Sequence, residues 1–200
     1  MVPRISFLDM GIIFFVCGGF MEFIKRNTKI YIISGKSGSG KDTVANMIKD
    51  NISNTIILSY ASYLKMYAMN VLGWDGNDPK PREFLQKLGV ELIKNQIDDK
   101  FLINRIKEDI KVYSYFYDVI VISDARFPDE IDLIKDSFDN VTVIHLKERE
   151  NKLSDTQKKH ATEISLDNYH NYDYEISKSN LDELKDAVKE IVGETYGSSN

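Results

Sequence analysis

The chain has one cysteine, Cys17, and three histidines in 200 residues. A single cysteine excludes an internal disulfide framework and a cysteine-based zinc site. His145, His160 and His170 form no recognisable metal-ligand pattern. Basic excess is also missing: the net charge is −5, which argues against a dedicated nucleic-acid binder. No internal repeat or low-complexity tract is visible. No apolar run is long enough to cross a bilayer. The uncharged stretch from Met10 to Met21 has twelve residues, where about 20 are needed.

What is present suits one α/β domain with an adequate core, at 42% hydrophobic and 28% charged residues. Its organising stretch is Lys29 to Asn46, K-I-Y-I-I-S-G-K-S-G-S-G-K-D-T-V-A-N. Lys29 to Ser34 is an apolar, β-branched run of the kind found in buried parallel strands. Gly35-x-x-x-x-Gly40-Lys41 follows, and Thr43 to Asp50 begins a helix. Strand, glycine loop and helix stand in the order of a phosphate-binding loop. Such a loop turns its N–H groups inward onto phosphate oxygens. Gly35, Lys36, Ser37, Gly38, Ser39, Gly40, Lys41, Asp42 and Thr43 are therefore the expected nucleotide-phosphate site. Lys41 would neutralise charge as it develops on the transferred group. Asp42 occupies the position where such loops usually place the Ser or Thr that meets magnesium, with Thr43 next.

The rest of the chain alternates strands and helices. Thr55 to Leu58 reads as a second strand. Leu64, Tyr67, Ala68, Val71 and Leu72 then form one helical face. Phe84 to Ile93 and Phe101 to Ile110 give two more amphipathic helices. The stretch of about 60–117 is too long for a simple crossover, and we expect a helical insertion over the strand ends, where α/β proteins bind ligands. Asp118 to Ser123 is a strand that runs into Asp124, well placed to organise magnesium, so Asp42 and Asp124 are the candidate metal residues. A helix over 128–138, a strand over Val141 to Leu146 and a strand over Asp173 to Ser177 follow. The polar segment of about 147–168 reads as a lid. A final helix starts near Asn180 and ends at Gly193, leaving a tail at 194–200. Residues 1–28 read as an extension. Met21 is an alternative natural start, and a membrane-associating or signal segment is the rival reading of residues 1–20.

Five stretches together resemble the bacteriophage-type deoxynucleoside monophosphate kinases. They are G-K-S-G-S-G-K-D-T, Y-A-S-Y-L-K, R-E-F-L-Q-K-L-G, S-D-A-R-F-P-D-E and H-A-T-E, in that family's order from Gly35 to Glu163. The first motif is shared with dephospho-coenzyme A kinases; the R-E-x-L-Q-x-L-G and D-x-R-F-x-x-E pair is more specific. The resemblance implies a three-layer phosphate-loop NTPase fold with a five-stranded parallel sheet in the order 2-3-1-4-5, over a domain of 29–193. It implies transfer of the ATP γ-phosphoryl group to a nucleoside 5′-monophosphate, with Mg2+.

The chemistry asks for positioning and cations. Arg82, Lys65 and Arg126 are the candidate acceptor-phosphate cations, and Gln86, one turn after Arg82, could read a base edge or hold the arginine. Lid cations are Arg149 (the best single candidate), Lys152, Lys158 and Lys159. His160 and Glu163 match the family's H-x-x-E, with a local cap as one role and catalysis as the other. The implied partners are small molecules, in a cytoplasmic setting (the host cytoplasm if the source is viral), with no nucleic acid and no firm membrane association; a homodimer stays open. Rivals are a dephospho-coenzyme A kinase-like enzyme and a nucleotide-binding regulator without turnover. A GTPase switch is disfavoured because Asn151-Lys152-Leu153-Ser154-Asp155 is one residue too long for N-K-x-D.

Overall fold

In the computed structural model, residues 23–147, 164–177 and 180–197 are described. Strand β1 (Lys29–Gly35) leads into α1 (Lys41–Asn51), β2 (Thr55–Leu58) and α2 (Tyr60–Leu72). Helix α3 (Arg82–Gln86) continues without a break as a π-wound helix over Lys87–Ile97. Helix α4 (Phe101–Tyr113), β3 (Val119–Ala125), α5 (Pro128–Lys135), β4 (Val141–Leu146), β5 (Tyr174–Ile176) and α6 (Leu181–Gly197) complete the chain. All strand pairs are parallel and the sheet order is β2-β3-β1-β4-β5.

The central strand explains its own sequence. Both faces of β1 are covered, so its middle is apolar, and Tyr31, Ile32 and Ile33 are fully buried; the buried Ser34 is paired with His145. Ile33 and Tyr31 pack with Val44, Ile48, Leu184 and Val188 under α1 and α6. Ile30 and Ile32 pack on the other face with Ile106, Ile110, Ile131 and Ile134 of α4 and α5. The result is helix, sheet and helix in three layers. Because β1 connects to α1 on one face while β3 connects to α5 on the other, their carboxyl ends flank a crevice.

Three expectations change. Gly193 does not end the last helix, which runs to Gly197 and takes in the first residues of the expected tail. A mid-helix glycine costs only about 1 kcal/mol relative to alanine, and Ile191 and Val192 are buried immediately before it. The stretch 60–117 is not all insertion: α4 lies on the sheet with Ile103, Ile106 and Ile110 in the core. Val71 and Leu72 of α2 are exposed, so the expected apolar face does not run the length of the helix; Tyr60 and Ala68 are its buried residues. Among the described residues no helix is long and apolar enough to cross a membrane.

Candidate active site

The site begins at the turn after β1. Gly35 has φ +141°, and a Cβ there would lie 2.7 Å from the Leu146 carbonyl oxygen and 2.8 Å from Ser39 Oγ. Only glycine fits that approach. Gly40, at φ 95°, then opens α1. The Lys41 ammonium is folded over the loop and donates to the carbonyls of Gly35 (2.8 Å) and Lys36 (2.7 Å). Lys41 is 7% exposed, so its charge is held at the mouth of the loop rather than in solvent. Ser39 is buried and its hydroxyl has no protein partner among the described residues. A buried orphan hydroxyl beside a helix N-terminus suits a phosphate oxygen, which would supply the missing acceptor.

The second wall starts at the end of β3. Both carboxylate oxygens of Asp124 are engaged by the first turn of α2. Tyr60 N–H donates to Oδ1 at 2.8 Å; Ser59 Oγ and Ala61 N–H donate to Oδ2 at 2.8 and 2.9 Å. Asp124 therefore caps a helix that follows a different strand, and its charge lies at the favourable end of that helix's dipole. Six residues on, Glu130 reaches back from the first turn of α5. One carboxylate oxygen accepts from the N–H groups of Arg126 (2.7 Å) and Phe127 (3.1 Å). Burial pushes the Glu130 carboxyl up to about 7, a rise that nearby Asp124 adds to and the Arg126 and Phe127 N–H donors partly offset. The Tyr60 hydroxyl donates to the Glu130 carbonyl at 2.9 Å, tying α2 to α5.

Helix α2, α3 and the π-wound helix form the third wall. Together they enclose a cleft of about 530 Å³ over the phosphate loop. The cleft is lined by Lys41, Asp42, Thr43, Lys65, Arg82, Gln86, Asp124 and Arg126, which brings most of the sequence candidates together. Ser37, Gly38 and Gly40 line it too, while Gly35 and Lys36 line a second cavity of about 360 Å³ on the other side of the loop. There Lys36 pairs with Asp167 at 3.1 Å. His145 accepts or donates to Ser34 Oγ at 3.0 Å and stacks on Tyr172; burial lowers its pKa, a shift that nearby Glu175 opposes. Arg149, Lys152, Lys158, Lys159, His160 and Glu163, most of the expected lid, and residues 1–22 lie outside the described residues.

Sequence reasoning passed over Glu130, Lys80, Lys94 and Phe127, all of which line the cleft. The Lys94 ammonium sits 3.9 Å from the centre of the Phe127 ring. Glu130 did carry a signal: an acid at the third residue of a helix with proline at its start is half of a capping box. Lys94 carried none, because the π winding moves side chains off the 3.6-residue face that periodicity assumes.

Comparison with known proteins adds the decisive observation. The family model described as deoxynucleotide monophosphate kinase matches residues 57–188, about two thirds of the chain. This chain belongs to the deoxynucleotide monophosphate kinase family. It is a phosphotransferase of the phosphate-loop kinase type, and its substrates are small molecules. Solved structures agree on the fold. A shikimate kinase from Acinetobacter baumannii in complex with shikimate aligns at TM-score 0.50 and 9% identity, covering 87% of this chain and 96% of that one. A Deinococcus radiodurans tunicamycin resistance protein aligns at TM-score 0.50 and 12% identity, covering 84% and 95%. No curated protein matches the kinase by sequence comparison.

Kinases of this type use ATP and typically Mg2+. Among the described residues no group of three or more His, Cys, Asp or Glu could hold a metal alone. Asp42 and Asp124 on one cleft are two hard oxygen donors. That number suits magnesium, which takes one or two carboxylates and completes its shell with phosphate oxygens and water.

Proposed function

We propose that this kinase transfers the ATP γ-phosphoryl group to the 5′-phosphate of a deoxynucleoside monophosphate, giving the diphosphate. The observation that carries the reading is that Lys41 of the donor loop and Arg82, Lys65 and Arg126 of the opposite walls line one cleft. Two phosphate groups can approach only where cations offset their repulsion.

In this reading the loop N–H groups and Ser39 hold the donor phosphates. Lys41 exchanges its two loop carbonyls for phosphate oxygens and follows the charge to the transferred group. Arg82 and Arg126 grip the acceptor phosphate with bidentate forks and aim its oxygen in line with the γ-phosphate. Leu64, Leu85, Val90 and Ile93 offer the nucleoside an apolar bed, and Gln86 a polar edge. Gly89 faces Leu64 closely enough that an added Cβ would meet it at 3.1 Å, so a larger residue there would narrow the bed. Asp42 and Asp124 would hold magnesium, directly or through water; the ion supplies charge neutralisation across the phosphates.

The test is ADP release from ATP with dAMP, dCMP, dGMP, dTMP and dephospho-coenzyme A as separate acceptors. Turnover with at least one nucleotide, reduced by several powers of ten in Lys41→Ala, is the expected result. Turnover with dephospho-coenzyme A alone would replace the acceptor. Absence of turnover with all five, with ATP still bound, would leave a nucleotide-binding regulator.

A further inference from the structure

The turn that carries Arg126 is held from behind. Backbone N–H groups of residues 126 and 127 lie between the end of β3 and the start of α5, where neither strand nor helix supplies acceptors for both. Glu130 supplies one carboxylate oxygen to both, at 2.7 and 3.1 Å. It is itself 9% exposed. Its own main-chain carbonyl is fixed by the hydroxyl of Tyr60, which is buried. On the cleft side, the Lys94 ammonium lies 3.9 Å from the centre of the Phe127 ring. The turn is thus fastened to α2, to α5 and to the π-wound helix at once.

We infer that Glu130 is a positioning residue for the phosphoryl-transfer reaction: by accepting from the Arg126 and Phe127 N–H groups, it sets the backbone from which the Arg126 guanidinium reaches the acceptor phosphate. The inference rests on the acceptor-site reading above. An arginine has several rotatable bonds, and a bidentate grip is lost when its root shifts by about an ångström. Fixing the two N–H groups removes that freedom at the root. The same carboxylate also gives an acceptor to two part-buried backbone donors. An acid is not required for this; any side chain of the same length that presents an oxygen would serve. A glutamine meets that condition, whereas leucine keeps much of the volume and loses the acceptor.

Three variants separate the possibilities: Glu130→Gln, Glu130→Leu and Arg126→Ala, with the double variant Glu130→Leu/Arg126→Ala. The probe is ATP with whichever of dAMP, dCMP, dGMP and dTMP turns over fastest. Amide hydrogen exchange of the peptide spanning residues 126–127 is read by mass spectrometry in parallel. We expect Glu130→Leu to raise KM for the monophosphate about 10-fold or more and to speed exchange in that peptide. ATP affinity should be unchanged. Glu130→Gln should restore both readouts to within about threefold. In the Arg126→Ala background, Glu130→Leu should add little, since the residue it positions is already gone.

Unchanged exchange at residues 126–127 in Glu130→Leu would overturn the inference, even in a chain without turnover. Fully additive effects of the two substitutions on acceptor KM would overturn it as well, because Glu130 would then act by another route. Failure of Arg126→Ala alone to alter acceptor KM is a different result: it removes Arg126 from the acceptor site, and the positioning role with it.

Discussion

At the scale of single residues, charge alone does not explain the site. Lysine and arginine both line the cleft, but only arginine grips a phosphate with two parallel N–H groups. Arg82→Lys and Arg126→Lys should therefore each lower kcat/KM for the monophosphate by roughly 10- to 1000-fold, at about 1.4 kcal/mol per decade, with ATP affinity little changed. Steady-state kinetics with the acceptor varied at saturating ATP decides this, and loss confined to ATP binding would contradict it. Glu130 gives a pH prediction of definite sign. Its carboxyl titrates at about 7 in the folded chain, above the ordinary 4.5, chiefly through burial. The native state thus holds more protons than the unfolded state between those values, so this contribution to stability is complete below pH 4.5 and is lost as pH rises to 7. Glu130→Gln lacks the titration. Urea unfolding at pH 5, 6, 7 and 8 should show the variant gaining on the wild type up to about pH 7, with a constant difference above it. A difference that does not vary with pH would rule the titration out.

Among elements, α2 depends most on one distant group. Its first turn donates three hydrogen bonds to Asp124. Asp124→Ala should remove about 1–3 kcal/mol of stability, which for a chain of this size lowers Tm by about 2–4 °C per kcal/mol. Turnover should fall further than that loss implies, because the acceptor wall loses its attachment; calorimetry and kinetics on the same sample separate the two effects. Elements also show where the sequence was readable. β2 and β4 fall where the apolar runs place them, at Thr55–Leu58 and Val141–Leu146, since a strand covered on both faces is mostly apolar, with Thr55 and Thr142 its buried polar exceptions. The order of those strands was another matter: it came from the likeness to known kinases, because periodicity carries no information about neighbours. The acceptor wall was legible only in part. Arg82 and Gln86 were visible through their motif, but the π winding that follows them places Lys94 at the turn of Phe127, and no 3.6-residue pattern reports that.

For the whole molecule, the described chain is tied to the frame from Arg26 onward. Arg26 donates to Asp118 at 2.7 Å, and its N–H reaches the Ser114 carbonyl at 2.9 Å. Thr28 Oγ1 donates to the Tyr117 carbonyl at 2.8 Å. These contacts clamp the entry of β1 to the end of α4 before the first strand begins. A chain shortened to begin at Met21 should keep the Tm and turnover of the full one, as differential scanning calorimetry and the ADP-release assay would show. Aggregation of the shortened chain, or partition of the full chain into vesicles, would assign residues 1–20 a role in folding or membrane attachment.

The attachment of α2 to Asp124 also bears on how such a molecule can diversify. Side chains on the inner face of the wall can drift toward a new base or sugar while the wall still hangs from the same hook. Exchange of Asp124 itself has no such neutral route, since one carboxylate anchors the wall and also lines the cleft. Lineages that differ in substrate should therefore vary at Val90 and Ile93, which line the cleft outside the R-E-x-L-Q-x-L-G motif, and keep the aspartate. A library randomised at those two positions should yield folded kinases with altered preference far more often than one randomised at Asp124 and its partner Ser59.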